Sequence, residues 1–181
     1  MQPIRRVTDA ITMQFIRRLA WITVGFTYIL VSMGVTVRAN DAGLSCPDWP
    51  LCYGRLFFSG NYGALLEESH RYIAGIVSVL IVVLALSILI RARKDQHLLV
   101  PALLAPVLLA VQIMLGGMTV LWKLSGPIIT SHMAVAEALL ATIITIAIMA
   151  GKPEATREPR EKTRQFARLA MVASLLPTAS F

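Results

Sequence analysis

Charge is scarce in this sequence. Of 181 residues, 15% are Asp, Glu, Lys or Arg, while 56% are hydrophobic and the mean hydropathy is +0.69. Ordinary soluble domains carry about 25% charged residues. So apolar a chain is not disordered, because disorder goes with low hydrophobicity and high charge. The net charge of +7 does not make a nucleic-acid surface either, because the basic residues form no stripe and stand between long apolar stretches. No glycine-rich nucleotide-binding loop and no segment of soluble-domain composition occur. Histidine and cysteine are rare too, at three and two residues, so each one carries weight. What remains is an integral membrane protein.

A helix crosses the hydrocarbon core with about 20 mainly apolar residues. Four stretches meet that length: Leu19 to Val37, Tyr72 to Ile90, Leu98 to Trp122, and Leu124 to Gly151. The first three are uncharged, and the fourth contains a single acid, Glu137. The first is too long for the apolar part of a signal peptide, and no small-residue cleavage site follows it. Before it, Phe15 and Ile16 alternate with Arg17 and Arg18, which predicts a segment lying along the membrane surface. A fifth apolar run, Leu169 to Phe181, is too short to span.

Basic residues mark the cytoplasmic side of membrane proteins. With the amino terminus inside, 13 Lys and Arg fall on inner segments and four, Arg38, Arg55, Arg71 and Lys123, on outer ones. The sequence therefore predicts a bacterial-type inner-membrane protein with a cytoplasmic amino terminus and an outer loop over 38–69. Short links between the other spans favour an all-α, up-down-up-down four-helix bundle. The predicted order is an interfacial segment over 1–18, the bundle over 19–151, a basic cytoplasmic linker over 152–165, and a partial fifth helix over 166–181. That last piece suggests a truncated product, and no internal four-helix repeat is present.

Both cysteines lie in the outer loop, as Cys46-Pro47-Asp48-Trp49-Pro50-Leu51-Cys52. Disulfides persist outside the cytoplasm, so a Cys46–Cys52 bridge is expected there. Loop entropy gives so small a ring about 2 kcal/mol. It either fixes local shape or acts as a redox pair beside a cofactor. Metal binding is the weaker third reading, since no histidine is nearby. Trp49 and the two prolines are suited to seat the loop as a cap at the membrane interface.

His70 and His132 each stand near the outer end of a span that runs inward, the second and the fourth. Those helices lie diagonally across a four-helix bundle, so the two rings can face each other at similar depth. Such a pair ligates haem iron from both sides; the alternative is ordinary hydrogen bonding between helices. Glu67 stands three residues before His70, so the two share a face if the helix has already begun there. It is either a first-turn acid favoured by the helix dipole or a proton-transfer group. Arg38 and Arg71, at the same level, are candidates to pair with haem propionates or to snorkel to the interface. Glu137 is the one ionisable residue well inside a span, and its readings are a helix-holding hydrogen bond or proton transfer. Gly116 and Gly117 permit close helix packing or admit a flat cofactor. His97 reads as an interfacial polar residue.

Taken together, these motifs resemble a known family. The stretch Val37-Arg38-Ala39-Asn40-Asp41-Ala42-Gly43-Leu44-Ser45-Cys46-Pro47-Asp48-Trp49-Pro50-Leu51-Cys52 looks like the first outer loop of haem A synthases. Glu67-Glu68-Ser69-His70-Arg71 resembles their second-helix motif, and Gln112-Ile113-Met114-Leu115-Gly116-Gly117-Met118-Thr119-Val120-Leu121 their third. His132 matches their fourth-helix histidine. The resemblance covers about residues 15–150. It implies an oxidoreductase that converts a methyl group of haem O to the formyl group of haem A, for use in terminal oxidases. It also implies eight helices in two similar halves in full-length members, with substrate haem in the first half and a haem b cofactor in the second. On that pattern His70 and His132 bracket haem O, Glu67 is the catalytic carboxylate, and Cys46 and Cys52 form a disulfide. Haem O synthase, an electron acceptor and a second copy of the chain are candidate partners besides the lipid bilayer; nucleic acid is not. The competing readings are a bis-histidine electron carrier or haem-binding module of the cytochrome b kind, and an inactive fragment.

Overall fold

The structure, a computed structural model, describes residues 2–56 and 60–151. The predicted linker over 152–165 and partial fifth helix over 166–181 lie outside the described residues. Four helices follow in order: α1 (Gln2–Ala39), α2 (Tyr62–Arg91), α3 (Gln96–Leu121) and α4 (Gly126–Ala150). All four are long and apolar enough to cross a membrane. The protein is an all-α, multi-pass membrane bundle.

Two boundaries differ from the hydropathy reading. The predicted surface segment around Phe15 to Arg18 is part of one unbroken helix, α1, which is 38 residues long. The second helix starts at Tyr62 rather than Tyr72, with Glu67 paired to Arg71, Glu68 bonded to Tyr72, and Glu67 and Arg71 both bonded to the loop. Asn61 caps it, accepting the N–H of Ala64 at 2.9 Å on its side-chain oxygen, which satisfies one of the open donors of a helix start. At 30 residues and 1.5 Å per residue, α2 is about 45 Å long. That is well beyond a hydrocarbon core of about 30 Å, so its extra turns carry charge outside the apolar slab.

The helices form a closed ring: α1 packs on α2 and α4, and α3 packs on the same two. Thus α2 and α4 face each other across the diagonal. The main core is formed by Ile16 and Ala20 of α1, Val77, Ile81, Leu84 and Ile88 of α2, Leu98, Ala102, Ala105 and Leu109 of α3, and Leu139, Ile143, Ile146, Ala147 and Ala150 of α4. With the helices alternating in direction, these residues run from the middle of the bundle to the end away from the disulfide loop. Large apolar side chains such as Trp21, Ile29, Val79 and Leu86 are exposed on the outside, as a lipid-facing surface requires. Thr23 and Thr27 are buried on α1, and each hydroxyl donates to the carbonyl four residues earlier, at 2.8 and 2.7 Å.

The loop between α1 and α2 is a compact device. Cys46 and Cys52 form a disulfide with S–S 2.03 Å. Beyond it, Cys52 and Arg55 exchange backbone hydrogen bonds of 3.0 and 3.1 Å around Tyr53 and Gly54. Both of these turn residues have positive φ, 52° and 70°, the conformation that two-residue hairpin turns demand and glycine adopts freely. The Asp48 carboxylate accepts the N–H groups of Tyr53 and Gly54 at 2.6 and 2.8 Å. Chiefly through the Gly54 bond, its pKa is lowered from the ordinary 3.8.

Candidate functional site

His70 and His132 sit toward the loop end of α2 and α4. Each ring rests against a glycine of the neighbouring helix. A Cβ on Gly34 would stand 3.2 Å from Cε1 of His70, and a Cβ on Gly116 would stand 3.3 Å from Cε1 of His132. Gly34 lies five residues before the end of α1 at Ala39, and Gly116 five before the end of α3 at Leu121. The two hairpins, α1–α2 and α3–α4, thus present their histidines in the same way. The His70 ring also lies by the Leu30 carbonyl and within electrostatic reach of His132.

Among the described residues, three buried side-chain atoms have no hydrogen-bond partner: Nδ1 of His70, Nδ1 of His132 and Oε1 of Gln112. Gln112 is one helical turn before Gly116, and its Nε2 lies 3.3 Å from Nε2 of His132. An unsatisfied buried polar atom costs about 1–3 kcal/mol, and native structures leave few of them. Here three occur on the two imidazoles at the loop end and on the amide beside one of them. Two imidazoles seated on bare backbone, each with one ring nitrogen unpartnered, fit in kind the ligand set of a bis-histidine haem iron.

Glu67 and Arg71 are placed together rather than apart. Arg71 Nη2 donates to Glu67 Oε1 at 2.5 Å, and the Cys46 N–H donates to Glu67 Oε2 at 2.8 Å. Arg71 Nη1 reaches the carbonyls of Asp48, Pro50 and Leu51 at 2.9, 3.4 and 2.5 Å. One turn of α2 therefore grips the disulfide ring by both its N–H and its carbonyls. The neighbouring pair repeats the device, the Tyr72 hydroxyl bonding to Glu68 and to the Leu56 carbonyl. Each Glu67 oxygen retains capacity for a second bond, since a carboxylate has about four acceptor sites.

The remaining candidates stand elsewhere. Arg38 is exposed in the last turn of α1, where a cation suits the helix dipole. Glu137 is exposed on the outer face of α4. It makes no hydrogen bond or ion pair among the described residues, so no helix of the bundle is held by it. The His97 backbone N–H donates to Asp95 at 3.1 Å at the start of α3, in the opposite end of the bundle. Sequence reasoning missed the seat at Gly34 and the part of Gln112. A signal existed for the first, a glycine at the same distance from its helix end as Gly116.

Fold and site together define a multi-span membrane bundle whose loop end carries a histidine on each of two diagonal helices, beside a disulfide-closed loop. The chain matches the cytochrome oxidase assembly protein family, COX15-CtaA, over residues 17–61 and 59–180, and it belongs to that family. Among curated proteins it is similar to a "Heme A synthase" of Shewanella oneidensis, with 32% identity over 150 residues, 71% of this chain and 44% of that one. A protein of the same name from Exiguobacterium sibiricum is 30% identical over 158 residues, 86% of this chain and 53% of that protein. Another, from an Exiguobacterium species, is 30% identical over 131 residues, 71% and 43% respectively. The chain spans about half the length of the curated relatives it matches.

Proposed function

We propose that this bundle holds haem O between His70 and His132 and takes part in oxidising one of its methyl groups to formyl, giving haem A for terminal oxidases. The observation that carries the reading is the histidine pair itself: two imidazoles at the loop end of diagonal helices, each on a glycine seat and each with a buried Nδ1 that has no hydrogen-bond partner among the described residues. Membership of the family, and relatives whose names state haem A synthesis, support it.

Turning a methyl into a formyl group with water as the oxygen source releases four protons and four electrons (R–CH3 + H2O → R–CHO + 4 H+ + 4 e−), so the reaction needs an outside electron acceptor and a base. Bound haem supplies the redox-active iron and the ring that bears the methyl. Within this chain, Glu67 is the carboxylate that takes up protons or offsets positive charge, one helical turn from His70. Arg71 holds it in place. Arg38, at the same end, is a cation for a haem propionate. Haem O synthase as donor, an outside electron acceptor and a second copy of the chain are the proposed partners. The haem b cofactor belongs to the second half of full-length members. The proposed orientation has the amino terminus in the cytoplasm of a bacterial cell and the disulfide loop on the outer face of its inner membrane, from the 13-to-four distribution of Lys and Arg.

The test is extraction and identification of pigment from the purified chain, made in cells that synthesise haem O. Haem O or haem A in wild type, lost from His70→Ala and His132→Ala, is the expected result. Haem B alone in all preparations contradicts it. A second reading, an electron carrier with the same histidine pair, draws on one observation. Both oxygens of Glu67 are already engaged, Oε2 by the Cys46 N–H of the loop and Oε1 by Arg71, which itself grips the loop, and this is work a non-catalytic residue does equally well. Glu67→Gln separates the two: haem stays while haem A is lost if Glu67 is catalytic, and function survives if it is not.

A further inference from the structure

The glycine doublet of α3 and the tryptophan of the disulfide ring explain each other. Successive residues of a helix point about 100° apart, so Gly116 and Gly117 meet different neighbours at one depth. Gly116 faces His132. A Cβ on Gly117 would stand 3.2 to 3.3 Å from Cδ2, Cε2 and Cε3 of Trp49. The fused edge of the indole therefore lies on bare α3 backbone beside the seat of His132. The ring's other anchor is equally close to the second histidine. Arg71 follows His70 directly, and it holds the carbonyls of Asp48, Pro50 and Leu51, on both sides of Trp49. The disulfide ring is thus strapped from α2 to α3, and each anchor adjoins one half of the histidine pair.

From this juxtaposition we propose that Trp49 is a positioning residue of the histidine site. Its indole, seated on Gly117, forms the loop-side wall that retains a flat ligand between His70 and His132 and limits access of small molecules to the iron. This rests on the haem reading given above. A tryptophan suits the task, being large, flat and amphipathic. Glycine suits position 117 because any side chain there meets the ring carbons and lifts the loop.

The test uses the full chain loaded with haem. Trp49→Ala and Gly117→Ala each speed haem transfer to apomyoglobin by about tenfold, equivalent to about 1.4 kcal/mol, and both speed cyanide binding to ferric iron. The low-spin spectrum of bis-histidine iron is unchanged in both, and Trp49→Phe recovers most of the loss. The double variant is no faster than Trp49→Ala alone, because the new Cβ then has no indole to displace. Effects that multiply in the double variant, or a Trp49→Ala protein that keeps haem as wild type does, overturn the proposal.

A second measurement needs no haem. Cys46 and Cys52 are 0% and 2% exposed, so dithiothreitol reaches them only when the loop lifts. Gly117→Ala speeds their reduction in the haem-free chain if Trp49 is docked there, and an unchanged rate refutes the docking. Should His70→Ala and His132→Ala both retain pigment, the haem reading falls and the wall with it, while the reduction rate still reports the docking.

Discussion

The two ends of the bundle are built from different materials. Away from the loop, Ile81, Leu84, Ile88, Leu98, Ile143 and Ile146 interdigitate with no polar atom among them. At the loop end, the space between the helices is bordered by two histidines, a glutamine and two glycines, and polar atoms there lack partners. One end supplies rigidity and the other binding. A membrane helix gains little from apolar burial as such, since lipid is as apolar as leucine. The apolar packing of the opposite end is therefore what allows the loop end to carry unpartnered polar atoms without the helices drifting apart.

The largest effect separates the ends outright. His70→Ala or His132→Ala should abolish stable haem binding while helix content by circular dichroism stays unchanged. Leu84→Ala or Ile143→Ala should do the reverse. Each should cost about 1–3 kcal/mol of stability, below the 2–5 of soluble cores because lipid replaces water around separated helices, and the bound pigment should be unaltered. Denaturation in detergent with pigment analysis checks both. A core variant that changes pigment identity would break the division.

Next come the glycine seats. Gly34→Ala and Gly116→Ala put a Cβ 3.2 and 3.3 Å from an imidazole carbon. Overpacking costs about 1–3 kcal/mol, so haem affinity should fall roughly tenfold or more. Gly25→Ala and Gly75→Ala meet nothing within 4 Å and should bind haem as wild type does. Equal losses at all four would show that the seats are not special. Removing the grip of Arg71 with Arg71→Ala should loosen the disulfide ring by about 2 kcal/mol, as expected for hydrogen bonds from a charged donor. Faster proteolysis between residues 46 and 56 reads this, and Arg71→Lys, which lacks the planar fork, should recover part of it.

The smallest effect lies at Asp48. Its depressed pKa means that it stabilises the turn above about 3.8 and ceases to do so as pH falls through the lowered folded value. The Gly54 amide resonance should titrate with a midpoint below 3.8 in wild type and not at all in Asp48→Asn. A midpoint at or above 3.8 contradicts the hydrogen-bond account.

Much of this was legible in the sequence because it depends on local pattern. Apolar runs revealed four spans, and the depth of His70 and His132 followed from their distance to the span ends. The diagonal relation came from the bundle topology. The start of α2 was hidden, since Glu67, Glu68 and Arg71 look like loop charges until the pairing of Glu67 with Arg71 and the cover of the disulfide ring are known. Contacts between distant segments were hidden for the same reason. Nothing local shows that Gly34 backs His70, or that the two glycines of one doublet serve a histidine and a tryptophan.

The account stands on the histidine pair, and the most direct test is the spectrum of the ferric, haem-loaded chain. Low-spin, six-coordinate iron in wild type, turned high-spin or lost by His70→Ala and by His132→Ala alike, is what it predicts. A low-spin spectrum that survives either substitution would place the iron elsewhere and contradict it.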